Sequence, residues 1–143
     1  MEDVNMVYLL GGGKGFSEKI AESFIKNIVQ GSNITFIPTS QEDVETVEKY
    51  KTVNIKWLKE IGITFEESFI IGIDDDKKSA VNKLEKSDVI YLMGGLPHTQ
   101  LELINKLGIE EKIKEFQGIL IGTSAGALNL CEYSITTRYD DYT

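Results

Sequence analysis

Residues 118–130 read GILIGTSAGALNL, and Ser124 stands among them with Gly122 and Gly126 two positions to either side. An apolar run leads into this G-x-S-x-G and a small, apolar stretch leads out. That is the strand–turn–helix setting in which such a serine acts as a nucleophile. The spacing has a chemical reason. A nucleophilic hydroxyl must project from a sharp, strained turn, and glycines on both sides keep other side chains out of it. The helix that starts at the serine aims free N–H groups and the positive end of its dipole at the oxygen where negative charge develops. The competing reading is a small residue in a tight turn, with no chemistry attached.

Acyl transfer at a serine needs two donors for the oxyanion and one base. The N–H of Ala125, next after the serine, is the first donor. The second has to come from a neighbouring strand exit, and Gly94-Gly95 in GGLPHTQ is placed to supply it, because glycine lets a main-chain N–H face a substrate unobstructed. An ordinary strand-end turn is the alternative there. The base is harder to find. His98 is the sole histidine, and it follows the double glycine. Triads recur in several chain orders, so order alone does not exclude it. Pro97-His98 also reads as the exposed first turn of a helix, which favours lining the pocket beside Gly94 and Leu96 over proton transfer.

Other candidates read more simply. GGGKG, from Gly11, satisfies neither the dinucleotide nor the phosphate-loop pattern, so it is a turn where backbone passes close to a neighbour. IDDDKKS (73–79) is a solvated turn and helix cap rather than a cation site. Cys131 is expected to be a buried thiol. Trp57 is expected in core or interface rather than as a substrate platform.

These residues hang on a repeating frame. Short apolar runs at 6–11, 33–40, 65–73, 88–95 and 117–122 read as strands. Amphipathic segments at 18–29, 41–63, 76–87, 98–116 (one helix or two, broken near Gly108) and from Ser124 onward read as helices. Near-continuous apolar strands alternating with helices predict a mostly parallel sheet covered on both faces. Ligands of such α/β folds bind beyond the carboxyl ends of the strands, where the four polar or glycine-rich exits lie.

With 143 residues, the chain suits one α/β domain with a sizeable core. An apolar share of 41% and a charged share of 27% are those of a soluble globular protein. The net charge of -8 argues against nucleic acid and anionic membrane as partners. No apolar run is long enough to span a bilayer, and the acidic start does not resemble a signal peptide, so the expected location is cytoplasmic. One cysteine excludes an internal disulfide and a multi-cysteine zinc site.

IPTS, DVIYLMGGLPHTQLELI and GILIGTSAGALNL, in that order and spacing, resemble peptidase family S51, whose members include dipeptidase E and the cyanophycinases. The resemblance covers essentially the whole chain. It implies a three-layer flavodoxin-like fold related to class I glutamine amidotransferases, which carry cysteine at the elbow. It implies Ser124 as nucleophile, with Gly95 and Ala125 as oxyanion donors, and neither metal nor organic cofactor. It also implies an acidic triad member in SITTRYDDYT, where Asp140 matches slightly better than Asp141. Two features depart from the family pattern. Leu96 stands where the family often has Asn, which bears on a polar contact near the substrate. No histidine follows Ser124, although the family's catalytic histidine lies downstream of the serine.

The expectation is therefore a serine-type peptidase acting on small peptides, with residues 1–143 as the N-terminal part of such a protein. The domain would be incomplete at its C-terminus and nearly inactive alone. An uncovered sheet edge would favour self-association, a homodimer being the simplest form. An esterase or acyltransferase sharing the G-x-S-x-G, and a binding or scaffold module that keeps the elbow without the machinery, are the readings of other classes.

Overall fold

The strands form where the chain is apolar on both sides of its pleat. Such a strand can be buried only between two layers of helices. The computed structural model describes residues 6–11, 16–39, 44–72, 74–132 and 139–141. Its six-stranded sheet holds β1 (Met6–Leu10), β2 (Ser32–Ile37), β3 (Phe65–Ile70), β4 (Val89–Leu92), β5 (Ile119–Thr123) and β6 (Tyr139–Asp141), in the order β3-β2-β4-β5-β1-β6. Every pairing in it is parallel.

Successive residues of β1, β4 and β5 feed opposite cores, as a period of two requires. Val7 and Leu9 of β1, Ile90 and Leu92 of β4 and Leu120 of β5 face one core. The helices α3 (Lys77–Glu85), α4 (Pro97–Leu107), α5 (Glu110–Lys114) and α6 (Ala125–Glu132) cover that face, contributing Leu84, Ile104, Ile113 and Leu130 among others. Tyr8 and Leu10, Val89 and Tyr91, and Ile121 face the other core, covered by α1 (Glu18–Asn27) and α2 (Val44–Glu60) through Phe24 and Leu58. The result is a three-layer, flavodoxin-like α/β fold. Among the described residues, no helix is long and apolar enough to cross a membrane.

Local chemistry sets the helix ends. Ser17 caps α1 by accepting from the Ile20 N–H at 3.2 Å. Asp76 and Ser79 cap α3 reciprocally, at 2.8 and 3.0 Å. Gly108, at φ 66, ends α4 in the left-handed region, so the segment 98–116 is two helices rather than one.

The structure departs from or adds to the sequence reading at three places. The polar end of the chain does form a further strand, β6, three residues paired with β1, because an exposed edge offers backbone partners regardless of side-chain pattern. Cys131 is exposed, not buried. It shares a face of α6 with Ser124, and that face points outward: Ser124 and Leu128 are exposed on it too, while Ala127 and Leu130 take the inward positions. Trp57 is half-buried and stands at a cavity beside Ser124, as described next.

Candidate active site

The sheet order sets up a crevice. The chain leaves β1 toward the α1–α2 layer but leaves β5 toward the layer of α6. The gap at the carboxyl ends of these adjacent strands is therefore a topological switch point, where such folds bind ligands. Ser124 sits there, between the end of β5 and the start of α6.

The elbow is strained. Ser124 has φ 53, the only non-glycine residue with a positive φ among those described. A serine side chain is held in the left-handed region only where the surroundings enforce it. Here the enforcement is visible. The Ser124 N–H donates to the Leu10 carbonyl at 2.9 Å, across the strand pair, while its own carbonyl accepts the Leu128 N–H at 3.1 Å and starts α6. The flanking glycines are steric necessities. A Cβ on Gly122 would lie 2.7 Å from the Gly126 carbonyl carbon, and one on Gly126 would collide with the Leu92 carbonyl oxygen. The helix therefore packs backbone-to-backbone on β4 and β5, leaving the Ser124 side chain to project outward, exposed.

The second glycine pair comes from the exit of β4. A Cβ on Gly94 would lie 3.5 Å from the Ser124 Cβ, so the two turns are in van der Waals register. Gly95 has φ 133, and any side chain there would strike Thr39 from the exit of β2. Thr39 in turn donates through Oγ1 to the Gly94 carbonyl at 3.2 Å. Three strand exits, β2, β4 and β5, are thus joined at one point.

Two buried amides that the sequence reading passed over hold this junction. Gln100 of α4 donates through Nε2 to the carbonyls of Ile37, at 2.9 Å, and Met93, at 3.1 Å. Its Oε1 accepts from Asn129 Nδ2 of α6 at 2.7 Å, and the same nitrogen reaches the Pro97 carbonyl at 3.1 Å. Gln100 is fully buried and Asn129 is 2% exposed, so these bonds have no water to replace them. Through them the helix carrying Ser124 is tied to the loop carrying Gly94 and Gly95. The available signal was a polar residue on the inward stripe of each helix, in GGLPHTQ and SAGALNL.

A cavity of about 320 Å³ opens beside Ser124 and includes Gly94 and Gly95. Its far wall is the face of α2 that presents Tyr50, Asn54 and Trp57, with Phe16 packed edge-on against Trp57 at 6.0 Å between ring centroids. Tyr91 closes the floor and donates to Asn54 Oδ1 at 2.7 Å. Burial pushes the Tyr91 phenol well above its ordinary value, the Thr123 hydroxyl only partly offsetting this, so it stays protonated at neutral pH and is no base for Ser124.

The remaining expected site residues are distributed as follows. Ala125 is buried at the first position of α6, its N–H among those at the helix start. Leu96 and His98 are exposed at the start of α4 and are not among the residues lining the cavity. Asp140 lies in β6 opposite Leu9, and Asp141 opposite Leu10, which places both backbones at the carboxyl end of the sheet. Residues 12–15 of GGGKG lie outside the described residues. Of the acidic run, Asp76 is a helix cap and Asp75 pairs with Lys83 at 2.7 Å.

Comparison with known proteins agrees with this architecture. A crystal structure of a protein from Listeria monocytogenes EGD-e, provisionally assigned as peptidase E, superposes with a TM-score of 0.64 at 29% identity, over 87% of this chain and 60% of that one. A peptidase from an acI-B1 actinobacterium gives a TM-score of 0.65 at 26% identity, over 89% of this chain and 57% of that one. The uncharacterized peptidase Lmo0363 of Listeria monocytogenes serovar 1/2a (strain ATCC BAA-679 / EGD-e) is 34% identical over 103 residues, 70% of this chain. The chain spans about half the length of that relative, 49%. The model of peptidase family S51 matches residues 7–143, from the first strand through the elbow and beyond, and with the elbow geometry beside it the chain belongs to that family.

Proposed function

We propose that this protein is a serine-type peptidase of small peptides in which Ser124 is the nucleophile. The observation that carries the reading is the strained φ of 53 at an exposed serine, held at a cavity mouth by glycines that tolerate no side chain. Strain of this kind has no packing purpose on the surface of a helix start.

In the proposed mechanism the Ser124 hydroxyl gives its proton to a histidine from outside this sequence, and its oxygen attacks the scissile carbonyl. Asp140 orients that histidine. The carbonyl π pair moves onto oxygen, and the N–H groups of Ala125 and Gly95 stabilise the resulting oxyanion. Collapse expels the amine, which takes the proton from the histidine, and water then hydrolyses the acyl-enzyme by the same steps. Removing one oxyanion donor costs on the order of 10²–10³ in rate in comparable enzymes, so this part of the proposal makes a large demand on the 94–95 loop. A cavity of about 320 Å³ lies at the small end of ligand sites, which favours a substrate of few residues.

The test is hydrolysis of a dipeptide panel by the protein expressed from its complete reading frame, wild type against Ser124→Ala. The proposal expects amine release that falls to background in the variant. Equal turnover by both proteins, or ester cleavage without peptide cleavage, overturns it.

A further inference from the structure

The cavity beside Ser124 has a chemical character of its own. We propose that it is a side-chain subsite for an apolar, preferably aromatic, residue flanking the scissile bond, formed chiefly by Trp57, Tyr50 and Phe16. This rests on Ser124 acting at the mouth of the cavity, and it adds the substrate class.

Three observations carry it. The aromatic wall is preassembled: Phe16 meets Trp57 at an interplanar angle of 83° and meets Phe24 of the core at 5.0 Å and 81°, so the two lining rings are braced against each other and against the core. Tyr50 is 56% exposed although it stands on the cavity-lining face of α2, so it presents a ring that the fold itself does not bury. Two of the polar side chains lining it are already engaged with each other, since Tyr91 donates to Asn54 Oδ1. No Lys, Arg or His is among the described lining residues. An aromatic side chain entering here gains edge-to-face contacts with supported rings. A carboxylate entering here would leave water without meeting a cation among these residues.

Trp57 is the one tryptophan in this sequence, so the part of the emission that Trp57→Phe removes reports on the subsite. In Ser124→Ala protein, which keeps ligands intact, tryptophan emission is followed while Phe-Gly, Gly-Phe, Asp-Gly and Gly-Asp are titrated. The proposal expects a saturable change with one of the phenylalanine dipeptides, about a hundredfold tighter than with its aspartate counterpart. Trp57→Phe should abolish the signal, which assigns it. Tyr50→Ala, at an exposed position where folding is safe, should weaken the phenylalanine dipeptide by roughly two- to tenfold. Aspartate dipeptides binding as tightly as phenylalanine ones, or unchanged binding in Tyr50→Ala, overturns the subsite. The two readings fail separately. Wild-type hydrolysis confined to aspartate dipeptides removes the subsite and leaves the serine peptidase, whereas selective phenylalanine binding without any turnover leaves the subsite and removes the nucleophile.

Discussion

Replacing Gln100 with leucine keeps most of the side-chain volume and deletes the amide that joins α4 to α6. The cost can be worked from its partners. The Ile37 carbonyl also accepts the Met93 N–H at 2.9 Å, so it stays satisfied. The Met93 carbonyl loses its bond from Nε2, and Asn129 loses its acceptor at 2.7 Å while keeping Pro97. Two buried polar groups losing a partner, at about 1–3 kcal/mol each, amount to about 2–6 kcal/mol. Against a total stability of about 5–15 kcal/mol this is severe. For 143 residues it lowers the melting temperature by roughly 7–20 °C. The assay is urea and thermal unfolding of Gln100→Leu, Asn129→Leu and the double variant. Because the two amides serve each other, the double variant should lose at least about 1 kcal/mol less than the sum of the singles. Additive losses would refute the linkage, and a Gln100→Leu loss below about 0.5 kcal/mol, the range of an ordinary surface change, would refute the whole argument.

Three further outcomes follow from the same geometry. Gly126→Ala drives a methyl into the Leu92 carbonyl and should cost about 1–3 kcal/mol by overpacking, together with a much larger loss in reactivity at Ser124, because the elbow must shift; unchanged melting contradicts it. Burial opposes ionisation of Asp75, but Lys83, the Gly72 N–H and the Ser79 hydroxyl outweigh it and hold the carboxyl below its ordinary value. A depressed carboxyl stabilises the fold fully above the ordinary value of about 3.9 and loses that contribution as the pH falls through the folded value, so calorimetry from pH 5 to 3 should show a steeper decline for wild type than for Asp75→Asn. Cys131, exposed on α6, should react with a thiol reagent in the native protein as fast as after denaturation, and strong protection would contradict its placement.

The frame was legible because buried parallel strands must be apolar throughout. β4 announced itself in VIYL, and the elbow in a glycine–serine spacing that only close backbone packing explains. β6 was not legible, since YDD pairs through its main chain at an edge and no apolar pattern marks it. Cys131 was misplaced because which face of α6 turns inward depends on the strands that lie beneath it, not on the residue type. Trp57 illustrates the same limit. Helical periodicity puts it on the apolar stripe of α2 beside Leu58, yet it is half-buried and borders a cavity together with Tyr50, a placement that depends on what packs across from the helix. The tie between Gln100 and Asn129 joins helices 29 residues apart in sequence, and no local pattern pairs them.

The account stands on the reactivity of one hydroxyl, so the decisive measurement is a fluorophosphonate reaction with the protein from its complete reading frame, followed by mass mapping of the adduct. Stoichiometric modification at Ser124, absent from Ser124→Ala and lost on unfolding, is the result predicted. Failure to modify Ser124, or modification spread evenly over exposed serines, would contradict it.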